Sequence, residues 1–360
     1  MGIKKKKVIV GMSGGVDSTA SAVLLMEKGY EVIGAVLLMF DREDESVFIN
    51  ELKSIAEPIG IKKLIIKNIK DIFNKYVVDY FCEEYLNVRT PNPCVVCNPR
   101  IKWKFLYEIM NEENADFIAT GHYARIDYDK TRKKYLLKKG KDSKKDQTYF
   151  LYRLSQKDLK VTLFPLENMT KKEVREYLSK KNIPTCSKPG SQEVCFLMGG
   201  DYKSFLRKKY KNIEKKGDIV YINNKKLGLH NGLHNYTIGQ RKGLGISYRF
   251  PLYVVSMDKK NNKLIVGEEK YLYGKTFYVE NVNWTIGESP KKTFKCNVSI
   301  RYRHKGEKAV VYCENNKVRV EFEKPQRAIT PGQSAVFYEN EIVLGGGIIS
   351  ETLKKGSDVL

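Results

Sequence analysis

At 360 residues the chain is too long for a small disulfide-stapled module and long enough for two or three domains with cores of their own. Hydrophobic and charged fractions of 42% and 30% are those of a globular protein, and no stretch approaches the ~18 consecutive apolar residues of a membrane-spanning helix. The excess of 65 Lys plus Arg over 42 Asp plus Glu, a formal net charge of +23, favours a polyanionic partner such as nucleic acid, with a solvated lysine-rich surface as the plain alternative.

The start is basic, but Val8-Ile9-Val10 is too short for a signal-peptide core, so a cytoplasmic location without a membrane is expected. Lys7 to Met12 predicts a strand, followed by a Gly-rich turn and then good helix formers from Ser18 to Glu27, closed by Gly29. Glu31 to Met39 predicts a second strand, and strand, turn, helix, strand opens a parallel α/β sheet with a right-handed crossover. Leu64 to Ile66 and Phe117 to Thr120 read as further buried strands, each followed by polar or glycine residues where a strand's carboxyl end delivers a site. The prolines and asparagines around Cys94-Val95-Val96-Cys97 predict a loop leading into a helix from Ile101. The Lys-rich stretch 130–145 reads as a solvated loop. Thr170-Lys171-Lys172-Glu173 reads as a capping box before a helix with Val174, Tyr177 and Leu178 on one face.

Beyond about residue 215 the pattern changes to short alternating strands. Asp218 to Ile222 with the turn Asn223-Asn224, and Leu252 to Met257 with Lys263 to Val266, read as hairpins. Cys296 to Tyr302, Ala309 to Cys313 and Lys317 to Phe322 alternate between charged turns, as in a small antiparallel barrel. The expected architecture is an α/β catalytic domain over 1–200, a small β-rich domain over 201–272 and a C-terminal β-barrel over 273–360. His230 and His234 are four apart, but Gly232 between them and the lack of a carboxylate partner favour a loop without metal.

Ser13-Gly14-Gly15-Val16-Asp17-Ser18 joins the first strand to the first helix. Glycines let the backbone approach an anion, the helix start offers unpaired N–H groups, two hydroxyls can donate, and Asp17 can hold magnesium. Neither a Walker A loop nor the dinucleotide pattern is present. The six residues resemble the PP-loop signature of enzymes that split ATP into AMP and pyrophosphate. The seven cysteines, Cys82, Cys94, Cys97, Cys186, Cys195, Cys296 and Cys313, are an odd number that argues against a disulfide framework and for metal or redox chemistry at a subset.

Together with Arg89 to Asn98, Thr120 to Tyr123, Lys145 to Tyr152, Ser191 to Phe196, Tyr236 to Gly245, Arg301 to Arg303, Thr330 to Ser334 and Leu344 to Gly347, this loop makes the chain resemble, over nearly its whole length, the bacterial tRNA-uridine 2-sulfurtransferases. The resemblance implies an enzyme that adenylates the C2 oxygen of the wobble uridine in tRNAs for lysine, glutamate and glutamine and then replaces it with sulfur. It implies a persulfide on Cys195 and assistance by Cys97. It further implies ATP contacts at Gly11, Met12, Ser13, Gly14, Gly15, Val16, Asp17, Ser18, Leu37 and Gly121, and a target base facing Asn92, Pro93 and Cys94. Contacts to the tRNA, at its anticodon stem-loop, fall on His122, Lys145, Asp146, Gln147, Arg301, Tyr302 and Gln333, and a cysteine desulfurase or sulfur carrier is the implied donor.

The chain departs from the family pattern in three places. Cys94 stands where aspartate is usual, so Cys94, Cys97 and Cys195 present three thiols, which suits a 4Fe–4S cluster with one open iron as an alternative to a persulfide. The segment Asp41 to Val47 is shorter, which leaves Met39 as a rival to Leu37 for adenine. Gly190 replaces an aspartate. A non-catalytic tRNA-binding relative would be favoured only by a degraded loop or a lost Cys195, and neither is found.

Overall fold

The computed structural model describes residues 5–183, 194–211, 213–314 and 317–353. Cys186, Gly190 and Ser191 to Glu193 lie outside the described residues.

The chain opens as expected. Strand β1 (Lys7–Gly11), helix α1 (Val16–Glu27) and strand β2 (Glu31–Leu38) form a βαβ unit, β2 lying parallel to β1 with Val8 opposite Val32. Val8, Ile9 and Val10 are wholly buried, and a strand covered on both faces reads as a continuous apolar run. With β3 (Leu64–Asn68), β4 (Phe117–Ala119) and the short β7 (Thr162–Leu163) the parallel sheet has the order β3-β2-β1-β4-β7. The chain steps from β1 outward through β2 and β3, then returns to the other side of β1 at β4. The crevice beyond the carboxyl ends of β1 and β4 is therefore the topological switch point, where such sheets bind ligands.

Two expectations need correction. The stretch taken for a solvated loop contains half of a hairpin, β5 (Ala124–Asp129) with β6 (Lys134–Lys139), whose lysines flank the buried pair Leu136 and Leu137 and keep their charged ends outside. The CxxC segment is not a loop before the helix: helical structure begins at Cys94 and continues through 94–112. Pro99 lacks the N–H that an α-helix interior needs, and the helix meets this with a π turn over Asn98–Trp103.

The second sheet has the order Tyr253–Asp258, Lys263–Gly267, Lys216–Tyr221, Lys226–Asn231, its two antiparallel hairpins joined by one parallel pairing. His230 lies on the last of these strands and His234 in the turn Leu233–Asn235, both buried. The C-terminal strands form a closed six-stranded barrel: Tyr273–Asn283 pairs with Val318–Arg327 on one side and with Ile342–Leu353 on the other. Closure leaves no free edge, and Phe277, Phe322 and Phe337 fill the interior. The β5–β6 hairpin docks on the barrel, Lys138 pairing with Ile342.

Candidate active site

At the switch point, Gly15 is the N-cap of α1 in an extended conformation and offers no side-chain cap. The first amides of the helix are left to whatever enters the turn, which is the condition for anion binding. Ser13 and Ser18 brace the turn: the Ser13 amide donates to Ser18 Oγ at 3.2 Å, and Ser18 Oγ donates to the Gly15 carbonyl at 3.1 Å. Gly14 has φ +71°, a left-handed conformation that favours glycine. From across the crevice Gly121 comes up against Asp17, so closely that a Cβ there would lie 2.7 Å from the Asp17 carbonyl carbon. Asp17 Oδ1 accepts from Tyr123 Oη and from Lys171 Nζ, each at 2.7 Å. The carboxylate proposed for magnesium thus already carries a cation and a hydroxyl.

The cysteines lie on the next elements. Cys94 and Cys97 occupy the first helical turn of 94–112, the Cys94 amide donating to Asn92 Oδ1 at 3.2 Å. Cys195 opens a single turn, Cys195–Leu197, and the neighbouring Phe196 holds that turn in place. The Phe196 ring sits edge-on to Phe73 and Phe81 in the apolar cluster that also buries Cys97. Burying such a ring is worth about 2–3 kcal/mol, enough to anchor a short segment. Cys94 and Cys195 are open to water, whereas Cys97 is 6% exposed. Desolvation nevertheless pushes all three thiols up, Cys97 to about 12, with Cys195 adding to the rise at Cys94 and both of them to the rise at Cys97.

One residue that sequence reasoning missed opposes that shift. The Lys102 ammonium draws all three thiols down, and it also acts on His122, whose burial holds it well below its usual pKa and therefore neutral. In a π turn the amide of residue i reaches the carbonyl of i−5, so the turn at Pro99 carries Lys102 round to follow Cys97. Plain α-helical spacing would have pointed the two apart, which is why the pattern hid it. Among the described residues Lys102 makes no ion pair. Replacing Lys102 with methionine is expected to slow iodoacetamide alkylation of these thiols at pH 8 by about 3- to 10-fold, because less thiolate is present at a given pH. Arginine should restore the rate, and an unchanged rate in the methionine variant would remove Lys102 from the site.

The remaining candidates are tied into the fold by different routes. Asn98 Nδ2 donates to the Phe150 carbonyl at 2.9 Å, and the Phe150 ring packs 4.5 Å from that of Tyr302. Gln333 Nε2 donates to the Thr90 carbonyl at 2.9 Å, gripping the segment that leads into Pro93 and Cys94. Arg301 donates to the Arg327 carbonyl at 3.1 Å within the barrel. His122 Nδ1 pairs with Thr120 Oγ1, Asp146 accepts from the Thr148 amide and hydroxyl, and Gln147 accepts from the Tyr123 amide, so each of these half-buried side chains is held by a partner within the protein, while Lys145 is exposed. Leu37 and Met39 are both half-buried and both pack on the Cys97 cluster, which separates neither as an adenine contact. Among the described residues no group of three or more His, Cys, Asp or Glu side chains is placed to hold a metal ion. The three thiols do not form a ready cluster site.

Residues 6–199 match the model described as "tRNA methyl transferase HUP domain", 203–268 the corresponding PRC-barrel domain and 274–349 the "Aminomethyltransferase beta-barrel domain". The chain is 46% identical to tRNA-specific 2-thiouridylase MnmA 1 of Caldanaerobacter subterraneus subsp. tengcongensis, over 97% of this chain and 99% of that one. It is 44% identical to the protein of that name from Acetivibrio thermocellus, over 96% of this chain and all of the other. A solved 4-thiouridine synthetase with RNA and ATP superposes with a TM-score of 0.37 at 15% identity, covering 57% of this chain and 50% of that one, too slight a likeness to argue from.

Proposed function

Because the chain belongs to the family of tRNA-specific 2-thiouridylases, we infer the course of its reaction from the site that its residues build. It is a sulfurtransferase that uses ATP and acts on tRNA. The family model's description speaks of methyl transfer, but this loop and these cysteines go with thiolation.

In the inferred course the uracil C2 oxygen attacks the α-phosphorus of ATP, pyrophosphate leaves, and C2 carries an O–AMP leaving group. The terminal sulfur of a Cys195 persulfide then attacks C2, and AMP departs with the oxygen. The Cys97 thiolate attacks the Cys195 sulfur, which leaves 2-thiouridine on the tRNA and a Cys97–Cys195 disulfide for a cellular thiol to reduce. Met12 to Ser18, Gly11, Gly121 and Leu37 would hold the nucleotide. Asn92, Pro93 and Cys94 would face the extruded base. His122, Lys145, Asp146, Gln147, Arg301, Tyr302 and Gln333 would line the path of the tRNA. Magnesium, when bound, would neutralise phosphate charge, and Asp17 would hold it through the carboxylate oxygen that neither Tyr123 nor Lys171 occupies. The assignment extends to the wobble uridine of the tRNAs for lysine, glutamate and glutamine, a desulfurase or sulfur carrier as donor, a cytoplasmic setting, and domains at 1–200, 201–272 and 273–360.

The observation that carries this reading is the span of the crevice. Gly121 comes up against Asp17 of the phosphate loop, and the ring of its neighbour His122 lies 5.7 Å from that of Trp103, on the helical segment that carries Cys94 and Cys97. Nucleotide, base and sulfur would therefore meet across one crevice, between the start of α1 and the start of the cysteine helix. The test is tRNA from a strain lacking the gene, digested to nucleosides: 2-thiouridine should vanish from the wobble position and return with the gene, and its persistence would overturn the assignment. Iron and acid-labile sulfide, measured in anaerobically purified protein, decide for a cluster on Cys94, Cys97 and Cys195 if both are stoichiometric.

A further inference from the structure

The helix Lys171–Lys180 begins with an anomaly. Thr170 caps it, its hydroxyl accepting from the Glu173 amide while Glu173 accepts from the Thr170 amide, which fixes Lys171 as the first helical residue. A cation in that place opposes the helix dipole, so on local grounds lysine is the wrong residue there. Two carboxylates from elsewhere in the chain answer it. Lys171 Nζ donates to Asp17 Oδ1 at 2.7 Å, and the Lys171 amide donates to Asp142 Oδ2 at 2.8 Å. The lysine side chain is 17% exposed, so the ion pair is largely sheltered and stronger than a surface pair.

Asp142 is itself buried, and its other oxygen accepts from the amides of Lys144 and Lys145. The same segment is tied a second time, the Gln147 amide donating to the Tyr123 carbonyl and the Tyr123 amide to Gln147 Oε1. Tyr123 in turn donates its hydroxyl to the Asp17 oxygen that Lys171 holds. The helix also packs on α1 through Val174 and Leu178 against Val16, Ala20 and Val23. The start of the nucleotide loop's helix and the 142–147 segment are therefore joined by a closed ring of bonds through Lys171.

We propose that Lys171 is a positioning residue of the thiolation reaction, which sets the phosphate loop and the 142–147 segment in one frame so that tRNA docked on the segment tightens the loop around ATP. The proposal rests on the reading that the loop takes ATP and that Lys145 to Gln147 face tRNA. Linkage makes the effect reciprocal: whatever tRNA does for ATP affinity, ATP does for tRNA affinity.

The test measures binding of magnesium ATP to the full-length chain with and without an unmodified tRNA transcript, in wild type, K171M and K171R. In the wild type tRNA should tighten ATP about 5- to 10-fold. In K171M that enhancement should disappear, the KM for ATP in the presence of tRNA rising by a similar factor with kcat little changed, and K171R should keep most of it. An enhancement retained in K171M, or none in the wild type, overturns the proposal. A wild-type chain that binds no ATP at all instead overturns the reading of the loop. Should K171M fold poorly, Y123F is measured in its place, since it removes the other donor to Asp17 and leaves Lys171: the enhancement survives if the lysine carries the link, and its loss assigns the link to Tyr123 and overturns the proposal.

Discussion

Cys195→Ser should abolish thiolation, by at least roughly a thousandfold, while leaving tRNA affinity within about twofold of the wild type. An oxygen at this position cannot carry the transferable sulfur, so the chemistry stops before the carbon–sulfur bond forms. The residue is exposed, and its turn is held by the Phe196 ring and not by the sulfur, so the exchange costs the fold little. Cys97→Ser should be equally inactive for a different reason. Cys195 would still accept sulfur, seen as a mass gain of one sulfur atom, but no neighbouring thiolate would release it. The two variants are told apart by intact mass after incubation with the sulfur donor, and nucleoside analysis of the tRNA gives the activity. Full thiolation by either variant would overturn the role given to that cysteine.

The same pair fixes the expected pH dependence. Cys97 must be ionised to attack, and desolvation pushes its thiol up to about 12 against the pull of Lys102. A raised thiol pKa means less thiolate at neutral pH, so single-turnover sulfur release should climb as pH rises from 7 to about 9, as thiolate chemistry does. A rate that fell across that range would place the limiting ionisation elsewhere.

Much of the N-terminal half was legible because its elements are locally consistent. The apolar run at Val8 to Val10, the glycines of the turn and the capping box at Thr170 each say in sequence what they do in space. The hairpins around Asn223 and Lys259 were legible for the same reason. What could not be read depends on partners distant in the chain. Strand β6 is rich in lysine and passes for a loop until the barrel supplies Ile342 to pair with it. The strand Ile342–Leu353 carries three consecutive glycines, a weak strand signal that closure against Tyr273–Asn283 overrides. Within the site, residue type betrayed the phosphate loop and the cysteines. Lys102 stayed hidden because a π turn changes the spacing, and Lys171 because a capping box explains the residues around it without asking what the lysine meets.

Gly121→Ala should leave tRNA binding intact and cut ATP-dependent pyrophosphate release by roughly a hundredfold, the loss that follows when a catalytic geometry shifts by about 1 Å. The added methyl group would lie 2.7 Å from the Asp17 carbonyl carbon and 2.9 Å from its oxygen, both of them backbone atoms at the start of α1 that cannot swing aside as a side chain would. Relief requires the β4 end or the helix start to back away, and either movement widens the crevice in which the phosphates would sit. Overpacking of this kind also costs about 1–3 kcal/mol, so a lower melting temperature alone proves nothing. Gly29→Ala supplies the comparison. Gly29 closes the same helix at φ +85° with no atom near the position a Cβ would take, so alanine there strains the backbone and destabilises the fold by about 1 kcal/mol without approaching the crevice. If loss of stability were the whole cause, both variants would lose pyrophosphate release in proportion to their melting temperatures. If Gly121 is where the second wall of the nucleotide site meets the first, only Gly121→Ala will.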